Sequence, residues 1–399
     1  MRMKKLASDR LHILYMPKWY PHKYDPMPGL FIERHGISTL PFNDVSVLYV
    51  HADNNQKKPV YEFVISKDEP LNTIRIYYKR AATGFSPLDT LINSCRFVRS
   101  HLKGIREIRK RHGKIDIIHV HVLTRHGVIA LWEKIRHGIP FVVTEHWTRY
   151  LPSTNTFNGT FRKWMTRIVA GRASAIMPVT ANLRDAMIDC GLKNKNYIVI
   201  PIVVDINMFS PNHDKNAGEK ARIIHVSCFD DQQKNISGIT RVIKRLSEKR
   251  QDFSVDMVGE GIHYDELLAY GDEMGVKDTY ATYFGLRENE ALAELMKAAD
   301  FMIMFSRYEN LPVVILESYA CGVPVISTDV GGIREHMNAD LGILLDSEDE
   351  DAFYNILDNM LDNYHNYSAE KIREYAVSHF SNEVIGKQLS EVYKAVAKS

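Results

Sequence analysis

Short apolar runs alternate along the chain with longer stretches in which apolar residues recur every three or four positions. That alternation predicts parallel sheets covered by helices. In the first half, strands are expected at Leu11–Met16, Val45–Val50, Thr73–Tyr78, Ile115–His121, Phe141–Thr144, Ala175–Val179 and Tyr197–Ile200. In the second half they are expected at Arg222–Ser227, Ser254–Val258, Thr279–Phe284, Phe301–Phe305, Val323–Ser327 and Leu341–Leu345. Between the two sets, Ser210 to Lys220 carries turn formers and charges with no apolar period, which marks a domain boundary. A last helix, Asn382 to Ala397, places Val384, Ile385, Leu389, Val392 and Val396 on one side.

A chain of 399 residues is too long for one ordinary core, so two domains of about 200 residues are expected. Hydrophobic content of 45% and charged content of 25% are those of a water-soluble globular chain. A formal charge of +2 gives no reason to expect a nucleic-acid partner. Cys95, Cys190, Cys228 and Cys321 lack paired spacing, which fits reduced thiols in a cytoplasmic protein. The basic amino terminus precedes an apolar run, Leu11 to Met16, too short for a signal peptide, and no run approaches the ~20 apolar residues of a membrane span. Asn158, Asn235 and Asn366 open Asn-X-Ser/Thr triplets, read here as chance.

The most informative segment runs from Ser306 to Thr328 (Ser-Arg-Tyr-Glu-Asn-Leu-Pro-Val-Val-Ile-Leu-Glu-Ser-Tyr-Ala-Cys-Gly-Val-Pro-Val-Ile-Ser-Thr). Glu309 follows an expected strand, where a parallel sheet delivers its loops to a ligand crevice. Glu317 stands eight positions later, close to two helical turns, so a helix could present both acids along one side of an elongated, hydroxyl-rich ligand. Taken alone, the pair reads equally well as a helix N-terminal charge and a solvated helix residue.

The segment resembles the donor-binding motif of glycosyltransferase family 4, retaining enzymes with two Rossmann-like α/β domains whose parallel sheets face a central cleft (the GT-B fold). The resemblance extends along nearly the whole chain. It implies an acceptor-binding domain at residues 1–205, a nucleotide-sugar-binding domain at 206–381, and a terminal helix at 382–399 crossing back to the first domain. Val204-Asp205-Ile-Asn-Met-Phe209 is similar to the family's segment ahead of the second domain. The implied reaction moves a hexose-type sugar from a nucleotide diphosphate to a hydroxyl of a glycan or lipid-linked acceptor, in surface polysaccharide or lipopolysaccharide synthesis.

In that resemblance Glu309 sits at the transferred sugar and Glu317 at the ribose, with Asn310 and Leu311 of the same motif as donor contacts. His146, in Thr144-Glu-His-Trp147, matches the histidine that contacts the sugar and orients the attack. Lys234, in Asp230-Asp-Gln-Gln-Lys-Asn235, matches a phosphate-binding lysine. The arginine that accompanies that lysine in the family falls on Cys228, and Arg307 is the candidate to replace its charge. Gly29, closing Asp25-Pro-Met-Pro-Gly29, and Gly259, in Gly259-Glu-Gly261, are candidate anion-contacting glycines. Gly331-Gly332 reads as a turn or a second anion contact.

His119 and His121 share a strand face, with His121 the acceptor-side candidate; a metal site would need a third ligand that the linear spacing does not supply. Asp349-Glu-Asp351 reads as acids at a helix N-terminus rather than a metal triplet. No metal or other cofactor is expected; the nucleotide-diphosphate sugar is a co-substrate. The basic stretch Arg96 to Lys114 has apolar Phe97, Val98, Leu102, Ile105 and Ile108 on one helical side. Two readings stand: a helix packed on the sheet with a solvated basic face, or docking on an anionic membrane at its cytoplasmic face. A sugar-nucleotide epimerase and a catalytically reduced binding protein remain the competing functions, the latter supported by Cys228. A dehydrogenase is disfavoured because no strand leads into Gly-X-Gly-X-X-Gly.

Overall fold

The computed structural model describes residues 10–55, 59–66, 69–212 and 220–398. Most of the expected boundary stretch (residues 213–219) and the basic amino terminus (1–9) lie outside them. The first sheet contains β1 (His12–Pro17), β2 (Asp44–Asp53), β3 (Tyr61–Ile65), β4 (Asn72–Lys79), β5 (Ile117–His121), β6 (Phe141–Glu145) and β7 (Ala175–Pro178) in the order β3-β4-β2-β1-β5-β6-β7. The second contains β8 (Ala221–Val226), β9 (Phe253–Val258), β10 (Ala281–Gly285), β11 (Phe301–Met304), β12 (Val325–Thr328) and β13 (Gly342–Leu345) in the order β10-β9-β8-β11-β12-β13. All pairings are parallel except β3 with β4. Helices cover both faces, so the inner strands β1, β5, β6 and β11 are buried throughout, mostly apolar residues with a few polar ones among them (His12, His119, His121, Thr144 and Glu145).

Two expectations need correction. The edge strand β3 is an additional strand: its apolar run is only three residues long, and Phe63, Val64 and Ile65 are all exposed, so neither length nor burial marks it. Tyr197–Ile200 is not a strand. Its Ile198 and Ile200 N–H groups donate to Ile176 and Pro178, but only the bridge between Ile176 and Tyr197 forms, and Pro201 offers no further N–H.

In each sheet the strand order reverses once, between β1 and β5 and between β8 and β11. Loops leaving the carboxyl ends at a reversal turn opposite ways and open a crevice. The last helix, Asn382–Lys398, packs on the first-domain helix Leu30–Thr39, where a Cβ at Gly386 would stand 1.9 Å from the Ser38 carbonyl. Its Tyr393 hydroxyl bonds the Tyr15 hydroxyl (2.8 Å) and His119 Nδ1 (2.7 Å) in the first-domain core. Among the described residues, no helix is long and apolar enough to cross a membrane.

Candidate active site

At the second-sheet reversal, the loop after β8 runs through Cys228 into the short helix Asp231–Lys234, capped by the Asp230 side chain. The loop after β11 carries Ser306 to Leu311, and Pro312 begins the helix Val313–Ala320. The two loops are stitched together by Arg307 N–H to the Gln233 carbonyl (2.8 Å) and Gln233 Nε2 to the Tyr308 carbonyl (3.2 Å). Lys234 Nζ donates to Glu309 Oε1, and both residues are buried. Burial opposes the charge on Lys234, yet the neighbouring Glu309 carboxylate holds the ammonium's pKa above the ordinary lysine range. The result is a buried, protonated lysine.

Glu309 lies in the loop, four residues ahead of the helix, so the eight-residue spacing to Glu317 is not two helical turns. Glu317 sits on the second turn of Val313–Ala320, and Arg34 Nη1 reaches it from the first domain at 2.6 Å. Burial raises the Glu317 pKa, and Arg34 offsets part of that shift. Both Arg34 and Glu317 line a cleft of about 830 Å³ between the two sheets' carboxyl ends. The first domain contributes Asp25, Met27, Leu30, Phe31 and Arg34; Cys228, Lys234, Gly259 and Pro312 to Val314 face them from the second. That volume suits a nucleotide-sized ligand.

Several expected donor contacts have other work. Arg307 does not replace the charge absent at Cys228: its guanidinium donates to Glu348 (2.8 Å), the Asp231 carbonyl (2.5 Å) and Asn235 Oδ1 (2.8 Å), outside the cleft lining. Asn310 bridges the domains, accepting from Thr180 Oγ1 (3.0 Å) and donating to the His146 carbonyl (3.0 Å), while Leu311 is buried core. Gly29 has φ 79°, and a Cβ there would stand 2.2 Å from the Trp19 carbonyl, so this turn requires glycine for close chain packing. Its neighbours Leu30 and Phe31, rather than Gly29, reach the cleft. The Gly259 N–H is already bonded to the Gly285 carbonyl (2.9 Å). Gly331 supports the acidic loop, since a Cβ there would stand 2.1 Å from the Glu309 carbonyl. Asp349 caps the helix Glu350–Asn363, and Glu350 and Asp351 pair with Arg241 and Arg245.

Beside the cleft, β5 and β6 end in His121 and Glu145, with His146 following. His119 is a satisfied core residue, bonded to Thr144 Oγ1 (2.7 Å) and Tyr393. His121 Nδ1 lies 3.4 Å from His146 Nε2, and the two rings stack at 14°. The third imidazole that linear spacing could not reveal is His35, from the helix Leu30–Thr39. His35, His121 and His146 each offer a ring nitrogen within 4.8 Å of the others, the only grouping among the described residues able to hold a metal ion. His35 Nδ1, His121 Nε2 and His146 Nδ1 are buried without partners. Burial first, then the neighbouring histidines, pushes the pKa of His121 and His146 well below the usual imidazole value, so both rings are neutral. Beneath them, the Glu145 carboxylate accepts from the N–H groups of Leu123 (2.9 Å), His146 (3.0 Å) and Trp147 (2.9 Å), fixing both strand-end loops.

Glu145, His35 and Arg34 escaped sequence reasoning. Arg34 was within reach: Leu30 and Arg34 stand one helical turn apart and share the cleft face.

A family model described as Glycosyltransferase Family 4 matches residues 47–208, and one described as Glycosyl transferases group 1 matches 209–379. Among curated relatives, N-acetyl-alpha-D-glucosaminyl L-malate synthase of Bacillus anthracis is 26% identical over 306 residues, covering 73% of this chain and 77% of that one. Among solved structures, sucrose-phosphate synthase from Thermosynechococcus elongatus superposes with a TM-score of 0.78 at 17% identity, covering 98% of this chain and 100% of that one. Anabaena HepE, solved in complex with UDP and glucose, gives 0.72 at 17% identity over 97% and 100% of the two chains. The two family models meet at the junction between the sheets and together span residues 47–379, so the chain belongs to the group 1, family 4 glycosyltransferases and is a glycosyltransferase of the GT-B fold.

Proposed function

We propose that the protein is a retaining glycosyltransferase that moves a hexose-type sugar from a nucleotide diphosphate to a hydroxyl of a glycan or lipid-linked acceptor. The observation that carries this reading is one cleft between the two sheets lined by Lys234, Arg34 and Glu317, with Glu317 paired to Arg34 and Glu309, outside the lining, paired to Lys234. The Glu317 carboxylate suits a ribose hydroxyl, the Glu309 carboxylate beside Lys234 suits a hydroxyl of the sugar, and the cations Lys234 and Arg34 suit a diphosphate. Glu309 and His146 hold the sugar, Glu317 the ribose, and Lys234 the leaving phosphate. Arg34, freed when ribose takes over Glu317, supplies the second charge that Cys228 lacks. The acceptor attacks on the face the diphosphate leaves, and the departing phosphate oxygen takes its proton, so no metal is called for.

The Bacillus anthracis relative is named for transfer to L-malate, and a small acidic acceptor is therefore compatible with the same architecture. A lipid-linked acceptor fits the helix Ser86–His112, which exposes Phe85, Leu88 and Leu91 near its start and Arg99, Lys103, Arg106 and Lys110 along its length. Its Val98, expected to be covered, is also exposed, because Ser100, His101 and Gly104 take the packed face. We infer peripheral attachment to the cytoplasmic face of an anionic membrane through this helix.

The test is a panel of UDP-, GDP- and ADP-sugars read by thermal stabilisation, since a ligand at 100 times its dissociation constant adds about 2.7 kcal/mol. The stabilising donor is then incubated with candidate acceptors and the products weighed by mass spectrometry. A glycosylated product with retained anomeric configuration supports the reading; a donor isomer with no transfer supports an epimerase instead.

A further inference from the structure

The cleft has an end that sugar, diphosphate and ribose leave unused. The second-sheet order β10-β9-β8-β11 sets the loops after these strands side by side along one edge. Lys234 follows β8 and Glu309 follows β11, and Glu317 lies on the helix beyond Glu309. What remains of the second domain's lining belongs to the loops after β9 and β10 and to the helix Asn289–Ala298. Val258, Leu286 and Leu292 give this end apolar walls, and Leu286 is exposed there. Such walls suit the flat faces of a nucleobase.

Two acids of the second domain stand at the same end, and they are placed differently. Glu260 Oε1 accepts from the Leu286 N–H (3.4 Å) and so ties the two loops together. Glu288 precedes the helix Asn289–Ala298 with an extended backbone, yet its carboxylate caps none of the helix N–H groups. Its Oε1 is buried with no hydrogen-bond partner among the described residues. Burial, then the charge of Asp25 from the first domain, raises the Glu288 pKa, and both acids line the cleft. A carboxylate oxygen withdrawn from water without a donor is costly, and a ligand that brings N–H groups removes that cost.

A carboxylate presents two acceptor oxygens side by side. Of guanine, adenine, uracil and thymine, only guanine offers a matching pair of donors, N1–H and the 2-amino group. Uracil and thymine hold their N3–H between two carbonyl oxygens, and adenine sets its 6-amino group beside the N1 lone pair. Each of these turns an acceptor towards the second carboxylate oxygen. We propose that Glu288 selects the nucleotide by accepting from N1–H and the 2-amino group of guanine, so that the donor is a GDP-sugar. The inference rests on the glycosyl-transfer reading above and names the donor class of that same cleft. A site built to pair a donor with a buried acceptor rejects ligands that lack the donor more strongly than apolar walls do.

The test titrates GDP, IDP, UDP and ADP into the full chain, followed by calorimetry. IDP is GDP without its 2-amino group. GDP is expected to bind about tenfold or more tightly than each of the others, the worth of a hydrogen bond to a charged group. Glu288→Gln replaces one acceptor by a donor at nearly constant size. It should weaken GDP by about the same factor and erase the preference of GDP over IDP. Affinity for UDP and ADP should be unchanged in that variant, which shows the fold and the grip on the diphosphate to be intact. UDP or ADP binding tightest, a GDP preference that survives Glu288→Gln, or an equal loss for all four nucleotides would overturn the proposal and leave the glycosyl-transfer reading standing. Binding of none of the four would overturn both.

Discussion

Arg34 Nη1 and Glu317 Oε1 stand 2.6 Å apart although 283 residues separate them, and their contact closes the cleft from opposite domains. Two further links act with it. Asn310 bonds Thr180 and the His146 carbonyl, and Glu335 accepts from Ala181 and Asn182 N–H (2.7 Å each) at the start of the first-domain helix Ala181–Asp189. A carboxylate at a helix N-terminus is favourably placed, so this clasp adds to closure.

Glu317→Ala should weaken donor binding roughly tenfold to a hundredfold, the worth of a charge-assisted hydrogen bond, with a smaller effect on turnover. Arg34→Ala should slow turnover and enlarge the radius of gyration measured by X-ray scattering, because the clasp is broken. Cys228→Arg in the Arg34→Ala background should restore part of the lost rate. No restoration would remove Arg34 from the diphosphate.

The Lys234–Glu309 pair separates stability from activity. Lys234→Met alone leaves Glu309 buried without a counter-charge and should cost about 3 kcal/mol in urea unfolding. Lys234→Met combined with Glu309→Gln should recover most of that stability while remaining inactive. A double variant with wild-type turnover would contradict the assigned roles.

Acid should loosen the first domain before the second. His35, His101, His119, His121, His126 and His146 are all buried with pKa values depressed first by burial, those of His35 and His101 to about 4. Their unfolded counterparts take up protons near pH 6.5, so the stability they contribute is present above that pH and is lost as pH falls towards 4. All four tryptophans lie in the first domain. The urea midpoint read by tryptophan emission should therefore fall steeply between about pH 6.5 and pH 5, where each fully exposed difference of one pH unit is worth about 1.4 kcal/mol per histidine. A midpoint that stays level over that range would contradict the neutral-imidazole account.

Tyr393→Phe removes the hydroxyl shared by Tyr15 and His119, leaving buried polar atoms unmatched at a cost of about 1–3 kcal/mol. The urea midpoint should drop accordingly. Removal of the helix Asn382–Lys398 should have a larger effect, since Ile385, Leu389 and Tyr393 are fully buried against the first domain.

The same histidines test the metal-free mechanism. Elemental analysis should find no stoichiometric zinc, and chelator should leave the transfer rate unchanged. Zinc at one equivalent, lost in His35→Ala, would make the three-histidine cluster a metal site.

Much of this molecule is legible in its sequence because parallel strands buried on both faces are nearly continuous apolar runs, as in Phe301 to Met304. Loops at strand ends are likewise marked by residues such as Glu309, Lys234 and His146, whose chemistry would be wasted elsewhere. Contacts between distant segments leave no such mark. Nothing around His119 announces Tyr393, and the outward turn of Arg307 is decided by Glu348, Asp231 and Asn235 together. The eight-residue spacing of the two glutamates also misleads, because Pro312 delays the helix and leaves Glu309 on a loop.

The most direct test of the central claim is the structure of the protein with its stabilising nucleotide sugar bound. The account predicts the ribose on Glu317, the diphosphate within hydrogen-bond reach of Lys234, and the sugar between Glu309 and His146. A donor bound away from the cleft, with both ion pairs still intact, would contradict it.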